Sequence, residues 1–168
     1  IIHAMQPKRG GLFVDGTVGA GGHAWGMLQA SKPDGQLLGL DVDPQALELA
    51  REKLAEFGER AHLVRTSYTA LLKQMEALKW RQVDGILLDL GLSSMQLDTP
   101  DRGFSFQTEA PLDMRFDPDG KTSAADLVNL LDEVELANLV YRYGEEHRSR
   151  QVARAIVNAR PISTTTQL

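Results

Sequence analysis

The sequence predicts an α/β fold, a parallel sheet with helices on both faces, followed by a small helical subdomain. Three observations predict it. Four short apolar runs alternate with amphipathic stretches, the pattern of strand–helix–strand units in a parallel sheet. A glycine-rich segment, Asp15-Gly16-Thr17-Val18-Gly19-Ala20-Gly21-Gly22-His23, joins the first apolar run to the first amphipathic stretch. The alternation stops after Leu90, and from Ser123 onward the reading is helical.

The elements follow in order. Ile1-Ile2-His3-Ala4-Met5 reads as the tail of a helix. Leu12–Asp15 is the first strand, Ala24–Ala30 a helix, and Gln36–Asp41 the second strand. Pro44–Phe57 is the clearest helix. Asp43 suits its N-cap and Pro44 its first turn. Leu47, Ala50, Leu54 and Phe57 fall on one stripe, with Glu48, Arg51, Glu52 and Glu56 off it. Ala61–Arg65 is the third strand. Tyr68–Lys79 is a helix with Ser67 as N-cap and Leu71, Leu72, Met75 and Leu78 as its apolar stripe. Val83–Leu90 is the fourth strand. Gly91–Lys121 has no sustained period, and a loop of about 30 residues in a compact domain is more often functional than accidental. Ser123–Arg160 reads as helical throughout, with Leu127, Leu130, Leu131, Val134, Leu136, Leu139 and Val140 as its apolar surface. The expected division is 1–98 as the cofactor-binding sheet, 99–122 as a loop and 123–168 as the start of a helical domain.

The bulk numbers bound the possibilities. The chain has 168 residues, 42% hydrophobic and 24% charged, which suits one globular domain. No apolar run approaches the roughly 20 residues that span a bilayer, so no membrane partner is expected. The absence of cysteine excludes disulfides and thiolate metal sites. The net charge of −5 gives no global basic field, so any nucleic-acid contact must use a local patch. Both ends read as cut: residue 1 is Ile, and Ser163–Leu168 closes without a further element. A segment of a longer protein is the expectation.

Four glycines within Gly16–Gly22 let a backbone approach a ligand closely. Asp41 ends the next strand, and a carboxylate about 20 residues past a glycine turn suits the ribose of a nucleoside cofactor. Gly19–Ala24 also spells G-x-G-x-x-A, which does not separate a nicotinamide cofactor from S-adenosylmethionine. Asp15 at the strand end and His23 entering the helix suit a cofactor that ends in an amino acid rather than one with a pyrophosphate. Asp15, Asp41 and Asp89 all close strands at the edge where open α/β sheets bind ligands, although a strand-end Asp is often only a turn cap. Tyr68 either packs flat against an adenine or staples its own helix. His23 has no partners at metal-ligand spacing, and no metal site is expected. Phe104 and Phe106, beside Arg102 and Arg115, either clamp a splayed nucleotide or pin the loop to the body. Arg142, Arg148, Arg150, Arg154 and Arg160 make the last helices basic, with Arg150 and Arg154 on one face; such a patch follows a phosphate backbone or is simply solvated.

Taken together, Asp15-Gly16-Thr17, Gly21-Gly22-His23, Asp41-Val42-Asp43-Pro44, Asp84–Asp98, Arg102-Gly103-Phe104-Ser105-Phe106, Pro111-Leu112-Asp113-Met114-Arg115 and Tyr143-Gly144-Glu145-Glu146 resemble the RsmH (MraW) family. The resemblance implies a class I S-adenosylmethionine-dependent methyltransferase, a Rossmann-like parallel sheet with an inserted helical domain. It implies methylation of the N4 amine of a cytidine in small-subunit ribosomal RNA, in the cytoplasm, with the small ribosomal subunit as partner. Carried over by motif, Gly21, Gly22, His23, Asp41, Tyr68, Asp89 and Gln96 hold the cofactor. Met95 departs from the family, which commonly has proline there, a change expected to loosen the turn that presents Gln96. The family's opening His-x-Pro-Val segment and its C-terminal half are absent. The catalytic acceptor is unassigned, with Asp89 as candidate. Phe104, Phe106 and Arg115 are candidates for holding the base, and Arg150 and Arg154 for the RNA. Without the family's later strands, Val83–Leu90 is expected to be an exposed edge, so that the segment is either less stable than the full protein or borrows a strand from a partner, a homodimer being one such arrangement. The rival readings are a nicotinamide-dependent oxidoreductase and a non-catalytic cofactor-binding fragment.

Overall fold

Short apolar runs ending at Asp15, Asp41 and Arg65 give the first three strands the bounds their sequence suggests: β1 Leu12–Asp15, β2 Gln36–Asp41 and β3 Ala61–Arg65. The computed structural model describes residues 1–168 and adds β4, Gly85–Leu87. All pairs are parallel, in the order β3-β2-β1-β4. Leu12 pairs with Gln36 and Asp15 with Gly39, while Phe13 to Asp15 pair with Gly85 to Leu87.

The fourth strand is shorter than the Val83–Leu90 expected from its apolar run. Its only neighbour is the four-residue β1, so there are few partners to pair with. Asp84 N–H donates to Leu12 O (2.7 Å) and Gly16 N–H to Leu87 O (2.9 Å), closing the ladder at both ends. Beyond it, Asp89 N–H donates to a side chain, Thr17 Oγ1, at 2.8 Å. As expected, β4 is a sheet edge, with Ile86, Leu88 and Leu90 exposed.

The helices of this part are α1 Ile2–Met5, α2 Gly22–Ala30, α3 Pro44–Leu54 and α4 Leu71–Ala77. Asp43 caps α3 by accepting from Gln45 N–H, and Pro44 opens it, as its sequence implies. Two boundaries move. The helix expected at Ala24 begins at Gly22, because Gly21 in the left-handed region (φ 80°) turns the chain into it earlier. The helix expected to reach Phe57 stops at Leu54 and continues as a 3-10 turn, Ala55–Arg60, broken at Gly58 (φ 53°). Tyr68–Ala70 is likewise a 3-10 turn leading into α4, with the Ser67 hydroxyl accepting from Thr69 N–H.

Period-two alternation along β1 and β2 fills both faces of the sheet. Phe13 and Leu37 pack with Ala24, Met27 and Leu28 of α2 and Leu47 and Leu54 of α3. Val14, Leu38 and Leu40 pack on the other face with Met75, Leu71 and Leu78 of the α4 region. Glu56 clamps α2 in place, accepting from Trp25 Nε1–H (2.8 Å) and Gln29 Nε2–H (3.1 Å).

The chain divides into two compact units, Ile1–Gly91 and Leu92–Leu168. The second is helical: α5 Ser94–Asp98, α6 Ala124–Leu130, α7 Glu133–Gly144 and α8 Ser149–Ala159. The stretch 91–121, expected as a plain loop, thus contains α5 and a 3-10 turn, Pro100–Arg102. The stretch 123–160, read as helical throughout, divides into three helices. Asp132 caps α7 by accepting from Glu135 N–H (2.7 Å), and Glu145 at φ 53° ends it. Ser123 and Asp126 form a capping box on α6. Leu112, Val128 and Ile162 make one small core, and Leu136, Ala137 and Ala153 another.

Candidate cofactor-binding crevice at the strand ends

From β1 the chain winds outward to β2 and β3, then returns to the other side of β1 as β4. The switch in direction lies between β1 and β4, the place where open α/β sheets leave a crevice at the carboxyl ends of their strands. Asp15 ends β1, Asp41 ends β2, and Asp89 follows β4 by two residues.

The glycine turn is fixed by specific contacts. A Cβ on Gly16 would lie 2.5 Å from Leu88 Cδ2 and 3.0 Å from Tyr68 Cβ, so a larger residue would have to displace the exposed Leu88 side chain, and Tyr68 stands directly beside the turn. Val18 N–H donates to Leu40 O at 2.9 Å. Gly19 N–H donates to Asp41 Oδ2 (2.9 Å) and Asp43 N–H to Asp41 Oδ1 (3.0 Å). Asp41 therefore holds the loop as well as facing the crevice edge, a role the sequence spacing did not reveal. Gly19 and Gly21 take left-handed φ values of 53° and 80°. At Gly22 a Cβ would meet nothing within 4 Å, so the loop is open there.

Asp15 is the buried member of the trio, 1% exposed. Burial pushes its carboxyl up from 3.8 to about 6, the charges of Asp41 and Asp89 push the same way, and the Thr17 N–H (3.2 Å) opposes them. The charges of Asp41 and Asp89 thus both reach Asp15. No group of three His, Asp or Glu side chains has metal-holding geometry.

The α2 N-terminus adds donors. Trp25 N–H to Gly21 O is the first helical bond, and no side chain caps the turn before it. The N–H groups of Gly22, His23 and Ala24 have no side-chain acceptor. A buried carboxylate, a second carboxylate on the loop and uncapped N–H groups suit a ligand carrying an ammonium, hydroxyls and a carboxylate. That is the chemistry of an amino acid joined to a ribose. A pyrophosphate would instead meet the charges of Asp15 and Asp41.

The other expected residues belong to the second unit. Gln96 is buried, and its Oε1 accepts from Ser93 N–H (3.0 Å) while its N–H donates to Ser93 Oγ (3.2 Å). This capping box fixes α5 with Met95 in place of proline. The spacing Ser93-x-x-Gln96 was the signal that could have revealed α5. The two phenylalanines divide between the two readings. Phe104 packs against Phe116, with ring centroids 5.3 Å apart, and beneath Arg102. Phe106 is 81% exposed. Arg115 pairs with Asp113 through Nε (2.9 Å) and Nη2 and donates to Gly120 O (2.7 Å), so it shapes its own loop. Its guanidinium holds the Asp113 carboxyl below the ordinary value. Arg150 and Arg154 are exposed on α8. Arg160 is not part of their patch. It donates to Val128 O (2.6 Å) and Leu131 O (2.5 Å) at the end of α6.

All of residues 1–168 match the MraW methylase family. Three curated relatives, each named Ribosomal RNA small subunit methyltransferase H, are similar throughout. The one from Geotalea uraniireducens is 48% identical over 171 residues, covering 100% of this chain and 55% of the relative. One from Dehalococcoides mccartyi is 52% identical, covering 99% of this chain and 48% of the relative. The one from Geobacter sulfurreducens is 50% identical, covering 100% and 55%. The chain spans about half the length of the curated relatives it matches. With its parallel sheet, glycine loop and acidic strand ends, the chain belongs to the MraW methylase family.

Proposed function

We propose that the chain is the cofactor-holding part of an S-adenosylmethionine-dependent methyltransferase that acts on the N4 amine of a cytidine in small-subunit ribosomal RNA. One observation carries the reading: Asp15, Asp41 and Asp89 stand at the sheet's switch point around a glycine turn that Asp41 itself holds. The names of the relatives support the substrate class.

When bound, the cofactor supplies an electrophilic methyl group. The residues of this chain bind and orient. Ionised Asp15 attracts the ammonium of the amino-acid end. The N–H groups of Gly22, His23 and Ala24 donate to its carboxylate, in the manner of helix N-termini that bind anions. Each Asp41 oxygen already accepts one N–H, and a carboxylate offers about four lone-pair sites, so Asp41 keeps capacity for ribose hydroxyls. Tyr68, beside Gly16, offers its ring to the adenine. The cytosine amine is a poor nucleophile because its lone pair delocalises into the ring. Asp89, exposed and acceptor-only when ionised, draws on its N–H groups and takes a proton. The target base has to leave its stack, and exposed Phe106 offers a face for an unstacked base while Phe104 anchors the loop.

The reading extends to a cytoplasmic setting, the small ribosomal subunit as partner, and a homodimer joined at the β4 edge. A nicotinamide-dependent oxidoreductase, the rival reading of Gly19–Ala24, finds support neither in the family nor in the acidic surroundings of the turn. Incubation with S-adenosylmethionine and small ribosomal subunits, followed by nuclease digestion and mass spectrometry, tests the activity. N4-methylcytidine is the expected product. Cofactor binding without any methylated nucleoside instead favours a non-catalytic cofactor-binding chain.

A further inference from the structure

The helix α8 has two unlike faces. Ala153 is buried against Leu136 and Ala137 of α7, and Ile156 and Val157 pack beside it. On the other side, Arg150, Gln151, Arg154, Ala155 and Asn158 line a shallow depression of about 310 Å³. Their spacing makes one continuous stripe along the helix, with small Ala155 as the floor between longer polar side chains.

The charge on this stripe is of one sign. From Arg148 to Arg160 there are four arginines and no carboxylate, in a chain whose net charge is −5. The arginines differ in what they do. Arg160 is committed to the carbonyls at the end of α6. Arg154 gives only its Nε to Glu133 (3.2 Å), which leaves its terminal amino groups unclaimed. Arg150 is exposed and makes no ion pair or hydrogen bond through its side chain. One helical turn separates Arg150 from Arg154, roughly 6 Å along the axis.

We propose that this face of α8 tracks the phosphate backbone of single-stranded RNA. Arg150 and Arg154 contact phosphates, and Gln151 and Asn158 supply neutral donors and acceptors for phosphate and 2′-hydroxyl groups. The inference rests on the proposed RNA substrate and adds the surface that meets it. A protein partner is the weaker fit, because protein interfaces centre on aromatic or aliphatic anchors, and this stripe has only Ala155 at its centre. Charge with neutral donors in a line suits a polyanion.

The test is fluorescence anisotropy of the full chain with a short labelled single-stranded oligoribonucleotide across a salt series. The variants are R150Q, R154Q, the double variant, and R142Q on α7 as a charge-matched control. The expected result is that the slope of log affinity against log salt shrinks by about 1.4 in the double variant, about 0.7 for each lost phosphate contact on a single strand. R142Q leaves the slope unchanged. An unaltered slope in the double variant, an equal loss in R142Q, no RNA binding by the unaltered chain, or polyglutamate binding with the same arginine dependence each overturns the proposal. S-adenosylhomocysteine titrated into the same proteins separates the two claims. Normal cofactor binding with an unchanged RNA slope sinks only the α8 surface, whereas no cofactor binding by the unaltered chain sinks the methyltransferase reading.

Discussion

The backbone N–H of Asp89 donates to the hydroxyl of Thr17 at 2.8 Å, joining residues 72 apart in sequence. Thr17 N–H in turn donates to Asp15 Oδ1 at 3.2 Å. One threonine therefore ties the end of β4 to the turn after β1 and stands between two of the three crevice carboxylates.

Thr17→Val keeps the shape and removes the acceptor. The loss of one such bond is worth about 1 kcal/mol. S-adenosylhomocysteine affinity measured by calorimetry is expected to fall roughly fivefold. Thr17→Ser, which keeps the hydroxyl, is expected to restore it. A serine variant as weak as the valine variant contradicts the positioning role.

Asp15 makes stability depend on pH with a definite sign. Burial raises its carboxyl from 3.8 to about 6, so the folded chain binds this proton more tightly than the unfolded chain. The contribution is fully present below about 3.8 and is lost as pH rises through about 6. A shift of this size corresponds to a cost on the order of 2–3 kcal/mol once Asp15 is ionised. Asp15→Asn is expected to raise the melting temperature at pH 7.5, with the gain vanishing near pH 4. Ligand binding runs the other way, because an ammonium needs the ionised form. Affinity of the unaltered chain for S-adenosylhomocysteine is expected to drop below about pH 6. Thermal melts and calorimetry across this range check both signs.

Arg160 and Arg150 look alike in sequence and are expected to behave differently. Arg160→Gln removes two charge-assisted hydrogen bonds to the last carbonyls of α6. Urea denaturation is expected to show a loss of about 2–4 kcal/mol. Arg150→Gln, on an exposed face, is expected to stay within about 0.5 kcal/mol. Equal losses contradict the division between structural and surface arginines.

The β4 edge carries unpaired backbone groups beside exposed Ile86 and Leu88. Such an edge pairs with other strands unless a charge blocks it. Sedimentation velocity is expected to show concentration-dependent association of the chain, and Ile86→Lys is expected to shift it to monomer. Association unchanged by the lysine places the contact elsewhere.

Much of the sheet was legible because local rules decided it. Apolar runs ending at Asp15, Asp41 and Arg65 gave β1 to β3 their bounds, and Asp43-Pro44 announced α3. What eluded the sequence depended on partners distant in the chain. The length of β4 is set by β1 and by Thr17, neither of which is near it in sequence. Residues Ser123 to Arg160 read as helical without internal bounds, and Asp132 and Glu145 set the two ends of α7 within them. Asp41 spells a ribose partner by spacing, but its hold on Gly19 appears only once β1 and β2 are side by side. The helix α5 was legible in Ser93 and Gln96 and was hidden by the aperiodic residues around it.

The most direct test of the crevice is calorimetric titration of the chain and of Asp41→Asn with S-adenosylhomocysteine. The account predicts saturable one-to-one binding that the asparagine weakens roughly tenfold, about 1.4 kcal/mol. No heat of binding with the unaltered chain, or saturable binding of NADH in its place, contradicts it.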